Sequence, residues 1–290
     1  MKTIKIAAAL LLGTMLATQI NAQTDAKEQL VVPLSEPGKP FKLNVGINNG
    51  SIKVVTYEGK DVIIDAQTGS EKRNKSGVNV SVNVNTKNSS SDGMASNGMK
   101  KINAGRELDI TAEEKNNRIT VHSNSWKSPI TLTIKVPQSE ANLKLSTIND
   151  GDITVTNVSG ELEINNTNGG VYLTNISGSV VASALNSSVV VTFKSIDPKA
   201  AMAFSTLNGN IDVTFPTSLK ANVKLKSDRG EMFTDFDIEA DKAQPKVERS
   251  SQSGMYRVNI ENWVYGKINT GGPELMMKTM NGNIYIRKAK

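Results

Sequence analysis

Short runs of alternating apolar and polar residues cover most of the chain. One arrangement recurs: an apolar-x-apolar run, three further residues, Asn or Asp, Gly, any residue, and a second apolar-x-apolar run. Copies lie at 43–54, 162–173, 202–213 and 275–286. Because successive side chains of a strand point to opposite faces, this alternation predicts β-strands. Asn-Gly adopts positive φ at low cost and predicts a tight turn between the two runs.

The turn position falls at residues 151, 169, 187, 209 and 230, which gives steps of 18, 18, 22 and 21 residues. Each turn could close an antiparallel hairpin, or each step could be one coil of a β-solenoid with equivalent strands stacked in parallel. The nearly constant step and the expected inward column of Ile153, Val171, Val189, Ile211 and Met232 favour the second architecture. We therefore predict an all-β, β-helix-like solenoid with coils of about 18–22 residues.

Polar residues near the turns have a predicted role in this stack. Thr147, Asn149, Thr167 and Asn168 are expected to pair laterally between coils, because buried polar groups require hydrogen-bond partners. No coil can close its own apolar edge, so stability must come from neighbouring coils and the end coils need caps.

The first 22 residues are typical of a secretory signal. Lys2 and Lys5 precede an apolar run over 6–17, and Ile20-Asn21-Ala22 offers a small-residue cleavage site. The run is shorter than the roughly 20 residues that span a bilayer. We expect an exported protein with no transmembrane segment in the mature chain. Its destination would be the periplasm, the outer surface or the medium of a Gram-negative bacterium.

The mature chain divides into two predicted parts. Residues 23–140 form a less regular N-terminal β region with a polar loop near 85–101, and residues 141–290 form the repeat region with a polar insertion near 239–253. Strand character is expected to resume over 256–265. No helical periodicity is apparent after the signal.

Composition excludes several classes of chemistry. The chain has no cysteine, which rules out disulfides, thiolate metal sites, a cysteine nucleophile and a lipid-anchored N-terminal cysteine. The formal charge of +6 falls to +4 without the two signal lysines. The basic groups at 71–75 and 287–290 are small and separated, so they predict a solvated loop and tail rather than a nucleic-acid partner.

Candidate catalytic residues are few. His122 is the single histidine, and a zinc site needs several convergent ligands. The remaining acids that could serve a glycosidase are Asp150, Asp152, Glu161, Glu163 and Asp212. A glycosidase needs two carboxylates that face each other. The position equivalent to Asp152 in the next coil, however, holds no acid. We therefore assign no catalytic, cofactor-binding or metal-binding residues.

An apolar stripe is the candidate binding site. Tyr172, Val190, Phe233 and Tyr285 occupy the same expected outward position, and Val181 and Ala203 do so on the partner strand. Exposed, the stripe would suit an envelope protein or a glycan. More often such a stripe is covered by the protein's own chain, and we expect the segment 256–265 or the N-terminal strands to cover it here. The oligomeric state is left open.

The repeats resemble the bacterial "putative adhesin" family, a β-strand-repeat domain of unknown function. The resemblance lies in the TLTIKVP run at 131–137, Leu143-Lys144-Leu145, the segment 150–153 and the closing NGNIYI at 281–286. It extends over about 41–288, apart from the polar insertions. It implies a solenoid-like β fold at the cell envelope and brings no catalytic residues.

The predicted function is therefore a non-enzymatic envelope or extracellular β-repeat protein with a structural, adhesive or ligand-binding role. A polysaccharide lyase or glycoside hydrolase on a β-helix, and a periplasmic envelope-sensing module, are the alternatives. No cofactor is expected.

Overall fold

The computed structural model describes residues 27–69, 108–123, 125–126, 128–240, 246–252, 255–261 and 263–290, without the side chains of 240 and 246–261. The expected signal sequence and the polar loop near 85–101 lie outside these residues. The described ranges contain strands and no helix, so the all-β prediction is confirmed. Accordingly, no helix long and apolar enough to span a membrane occurs in this part of the chain.

Twenty-one strands are present in the described residues. They are β1 (Lys27–Val32), β2 (Phe41–Tyr57), β3 (Val62–Thr68), β4 (Thr111–Lys115), β5 (Arg118–Ser123), β6 (Ile130–Pro137), β7 (Ala141–Asn149), β8 (Ile153–Thr156), β9 (Ser159–Asn166), β10 (Val171–Ala184), β11 (Val189–Ile196), β12 (Met202–Asn208), β13 (Ile211–Phe215), β14 (Ala221–Ser227), β15 (Met232–Thr234), β16 (Ile238–Ala240), β17 (Lys246–Gln252), β18 (Met255–Glu261), β19 (Val264–Ile268), β20 (Glu274–Asn281) and β21 (Ile284–Lys288).

Nineteen of these strands hydrogen-bond into two rows that together form one sheet. Row A runs β1-β3-β6-β2-β8-β10-β11-β13-β21-β15. Row B runs β4-β5-β2-β7-β9-β10-β12-β20-β14-β19-β16. The long strands β2 and β10 take part in both rows, so β2, β7, β9, β10 and β8 form a closed cycle of parallel pairings.

The strands that flank Gly169, Gly209 and Gly282 belong to different rows, whereas Asn49-Gly50 lies within β2, which takes part in both rows. β12 and β13, on either side of Gly209, pair with β10 and β20 and with β11 and β21 respectively, in parallel. The hairpin alternative is therefore wrong at this turn. We call one row-B segment, with the row-A segment that follows it in the chain, a layer.

The layers do not stack in chain order. The spatial order is 118–137, 41–57, 141–156, 159–174, 177–196, 202–215, 274–288 and 221–234. The segment 41–57 is thus the second layer from one end of the stack, and the segment 274–288 is the second layer from the other end. Ile284, rather than Met232, lies next to Ile211 in the inward column.

A continuous aliphatic core fills the space between the rows. Ile153, Val171, Val189 and Ile211 are fully buried, as predicted. Met232, in the last layer, is 38% exposed, so its assignment to the buried column is wrong. The physical reason is its terminal position, since β15 pairs only with β21 among the described strands. Each fully buried Ile or Val contributes about 1.5–3 kcal/mol before conformational entropy is counted.

Antiparallel strands close most ends of the two rows. β3 and β1 cover the edge of β6, β4 covers β5, and β19 with β16 covers β14. Such cover blocks the unpaired backbone groups through which exposed edges associate. The region predicted as a polar insertion near 239–253 includes β17, which forms a hairpin with β18.

A ladder of asparagines connects five layers near the turns. Each Nδ2 donates to the Oδ1 of the preceding member, at 3.0 Å for Asn168 to Asn149, 2.8 Å for Asn186 to Asn168, 3.0 Å for Asn208 to Asn186 and 2.6 Å for Asn281 to Asn208. The predicted lateral pairing of Asn149 with Asn168 is confirmed. Thr147 also pairs laterally, because its hydroxyl donates to the carbonyl of Gly50 in the neighbouring layer at 2.9 Å.

Replacing Asn186 with Ala is expected to lower the free energy of unfolding by about 1–2 kcal/mol. The substitution removes two ladder bonds, and a typical hydrogen bond contributes about 0.5–1.5 kcal/mol net. Urea denaturation followed by circular dichroism measures the change. Asn165→Ala is the matched control, because Asn165 is exposed on row B outside the ladder. Equal losses in the two variants would contradict a stabilising ladder.

Candidate ligand-binding surface

The outward residues of row A form one lateral line across the layers. Parallel register aligns Thr154 with Tyr172, then Val190, Asp212, Tyr285 and finally Phe233. The four residues predicted to share a position therefore do so. Asp212, in the layer 202–215, separates Tyr172 and Val190 from Tyr285 and Phe233. The layer 274–288, inserted between 202–215 and 221–234, places Tyr285 between Asp212 and Phe233.

Parts of this line are accessible to solvent. Tyr172 is 38% exposed and Phe233 is 45% exposed, while Val190 and Tyr285 are partly exposed. Tyr172 and Phe233 are therefore not fully covered by the chain's own segments, and the binding stripe stays a prediction. β19 is a member of row B, where it pairs with β14, and β1 pairs with β3 at the far end of row A.

The aromatic rings of the last two layers form an ordered pair. The ring centroids of Phe233 and Tyr285 are 5.2 Å apart with an interplanar angle of 9°, and the guanidinium of Arg287 lies 5.0 Å from the Tyr285 ring centroid. Asn283 donates from Nδ2 to the Tyr285 hydroxyl at 2.9 Å. These contacts hold the two rings in a fixed arrangement that leaves Phe233 accessible. We call Phe233 and Tyr285 the aromatic pair.

Asp212 is engaged by the same arginine. Arg287 donates from Nε to Oδ1 at 2.7 Å and from a terminal nitrogen to Oδ2 at 2.9 Å. Hydrogen bonding to Asp212, together with its negative charge, raises the pKa of Arg287. This bidentate pair fixes the guanidinium beside the aromatic pair and neutralises the carboxylate.

The other candidate acids lie in local pairs, at a turn or at exposed strand positions. Asp152 accepts from the backbone N–H of Gly170 at 2.8 Å, and Glu163 pairs with Lys144 at 2.8 Å. Asp150 lies at a turn with a φ of 50°, and Glu161 is exposed. His122 is exposed on β5. Among the described residues, no group of three or more His, Asp or Glu side chains could hold a metal ion.

An apolar cavity of about 250 Å³ adjoins the aromatic pair at the end of the stack. Its walls include Leu225, Met232, Val264 and Ile284 as well as Phe233. The cavity lies at the last layer of the stack, between β15 of row A and the β14–β19 pair of row B.

A second surface was not predicted. On the outer side of row B, register places Lys226 beside Lys278 and Lys224 beside Tyr265. Trp263 lies near both Lys224 and Lys226. These residues come from three separate strands or their flanks, and the stacking order of those strands could not be read from the sequence.

Comparisons with known proteins give a family and a distant structural likeness. No curated protein matches the chain. A solved structure, a putative cell adhesion protein from Clostridium sporogenes, aligns with a TM-score of 0.41 and 12% identity over 92% of this chain and 100% of that chain. The model of the Toastrack DUF4097 family matches residues 141–287, just over half of the chain. The chain therefore belongs to the Toastrack DUF4097 family.

Proposed function

We propose that this protein is an exported, non-enzymatic β-repeat protein that presents a ligand-binding or adhesive surface at the cell envelope or outside the cell. We also infer that its two rows are the two faces of a β-solenoid. Parallel pairing between equivalent strands supports this reading, because each layer then contributes one segment to each face.

The accessible aromatic pair, with the apolar cavity beside it, is the observation on which the proposal depends. A partly exposed Phe next to a stacked Tyr gives a large contact area at low entropic cost. The neighbouring cavity adds room for an apolar group. Exposed apolar features of this kind are typical of binding surfaces.

The state of the acids favours a binding role over catalysis. A glycosidase needs one carboxylic acid with a raised pKa facing a second carboxylate. Here Asp212 and Glu163 are each paired with a cation, and Asp152 accepts a backbone N–H. Each of these carboxylates is thus already engaged by a cation or a backbone donor of the protein itself.

Export is supported by the N-terminal sequence. The positive start, the short apolar run and the small-residue site at residues 1–22 are the features of a secretory signal. The periplasm and the outer surface both fit this signal, and fractionation of the producing cell would distinguish them.

Pull-down from envelope extracts tests the proposal. Phe233→Ser combined with Tyr172→Ser is expected to reduce capture of the bound envelope component about tenfold, because accessible apolar contacts are lost. The melting temperature should fall only slightly, because both side chains are partly solvated and the lost stacking of Phe233 on Tyr285 contributes about 0.5–1.5 kcal/mol. Val31→Ser is the matched control, because Val31 is 54% exposed on β1, at the far end of row A and outside the stripe.

Two outcomes would contradict the proposal. One is equal capture by the wild type, the double variant and the control. The other is release of reducing ends from envelope polysaccharides by the wild-type protein, which would make it an enzyme.

A further inference from the structure

Lysines and aromatic rings converge on the outer side of row B, at the same end of the stack as the aromatic pair but on the other face. Register aligns Ser205, Lys278 and Lys226 across neighbouring strands, and a second line aligns Ala203, Met276, Lys224 and Tyr265. Trp263 directly precedes β19, and Lys267 projects to the same side as Tyr265. We call Lys224, Lys226, Lys278, Trp263 and Tyr265 the basic patch.

Side chains of the basic patch are oriented by mutual contacts. The Lys224 ammonium lies 4.7 Å from the Trp263 ring centroid, and that of Lys226 lies 5.8 Å from it. Attraction between an ammonium and the face of an aromatic ring holds both lysines against the indole. The Lys226 side chain is only 19% exposed, so its charge is partly desolvated.

Placing Lys226 beside Lys278 has an energetic cost. Adjacent strands are about 4.8 Å apart, and like charges at aligned positions destabilise a sheet. Asp228, at 3.4 Å from Lys226, offsets part of one charge. Nothing in the folding of the described residues requires two lysines here, since the inward residues of β14 and β20 supply the packing. An anionic ligand between the two ammonium groups would remove the repulsion.

We propose that the basic patch binds an anionic saccharide, with a carboxylate or phosphate between Lys226 and Lys278 and the sugar ring on Trp263 or Tyr265. The lysines supply charge complementarity, and the aromatic rings offer an apolar face of the size of a sugar ring. The acids Asp228, Glu239 and Glu274 border the patch, so the positive region is short. That size suits one or two sugar units rather than the extended track of a nucleic acid.

Titration calorimetry with a hexamer of galacturonic acid tests the site. The full-length mature protein should bind the hexamer at low salt, and binding should weaken as salt rises because exposed charges are screened. The methyl ester of the same hexamer, which keeps the rings and loses the charges, should bind at least about tenfold more weakly. Lys226→Gln combined with Lys278→Gln should weaken binding of the acid by about the same factor.

Stability separates binding from a structural role. Removing the lysine pair should leave the melting temperature unchanged or raise it, because the like-charge repulsion disappears. Lys53→Gln is the matched control, since Lys53 is exposed on row A and lies outside the patch. It should leave hexamer binding unchanged.

Trp263→Leu combined with Tyr265→Leu distinguishes a saccharide from a simple anion. It should weaken binding of the hexamer and leave binding of polyphosphate, which has no sugar ring, unaffected. The proposal is overturned if the double lysine variant binds like Lys53→Gln, or if the acid and its ester bind equally. Tighter binding of single-stranded DNA or of polyphosphate than of the hexamer would also overturn it. If the row-A variants leave capture unchanged while hexamer binding is intact, the proposed function fails and this site stands independently of it.

Discussion

Replacing Ile211 with Asp is expected to abolish folding, whereas replacing the next residue, Asp212, with Asn is expected to be tolerated. Ile211 is fully buried between Val189 and Ile284 in the inward column. An unpaired carboxylate there would lose the apolar contacts of isoleucine and also require desolvation of a charge or its protonation. Losses above about 4–5 kcal/mol are exceptional for one substitution and correspond to this mechanism.

Asp212 differs because it faces outward on the same strand. Its substitution breaks an ion pair with Arg287 that is partly exposed, and such pairs contribute about 0–1 kcal/mol. Urea denaturation of both variants, with circular dichroism at each step, gives the comparison. A folded Ile211→Asp protein together with an unfolded Asp212→Asn protein would mean that the inner and outer faces are assigned the wrong way round.

Replacing Gly169 with Ala is expected to lower the free energy of unfolding by about 3 kcal/mol or more. An added Cβ would lie 1.7 Å from the carbonyl oxygen of Gly151 in the preceding layer, so the backbone of one layer would have to move. Overpacking of a close-packed region costs about 1–3 kcal/mol, and more where backbone cannot relax. The cause is the close approach between layers rather than a positive φ.

Gly46→Ala provides the matched control. Gly46 also lies within a strand of the stack, yet the nearest atom to an added Cβ is the hydroxyl of Ser146 at 3.4 Å. This is an ordinary contact with a movable side chain, so we expect a change well below that of Gly169→Ala. Equal midpoints for both variants in urea denaturation would contradict the close stacking of the turns.

The repeat, the turns and the inner column could be predicted because each depends on local pattern. Alternation at every second position identified strands, and Asn-Gly marked the corners where layers approach most closely. Ile153, Val171, Val189 and Ile211 are buried as expected. The division of the mature chain near residue 140 and the signal sequence stay predictions.

The order of the layers could not be read from this pattern. Every layer presents similar aliphatic side chains inward, so 221–234 and 274–288 both fit beside 202–215. One polar signal distinguishes them in retrospect. Asn281 continues the asparagine ladder from Asn208, whereas the register places Arg229 at the equivalent position of the other layer.

The basic patch was missed for the same reason. Lys226 and Lys278 are 52 positions apart in the chain. Tyr265 lies beside Lys224 because 221–234 is the outermost layer, which leaves β14 free to pair with β19. Tyr285 and Phe233, by contrast, were predicted to share one line from the turn spacing alone. Counting from the glycine of the turn fixes the position of a residue within its layer, and this position does not depend on the order of the layers.

Disulfide formation tests the inserted stack most directly, because the chain has no cysteine of its own. Ser205 aligns with Lys278, and Lys226 aligns with Lys278 on the opposite side. Ser205→Cys with Lys278→Cys should form a disulfide under mild oxidation. Ser205→Cys with Lys226→Cys should stay reduced, because two strand spacings of about 4.8 Å exceed the reach of a disulfide. The reverse outcome would place 221–234 directly beside 202–215 and contradict the structure.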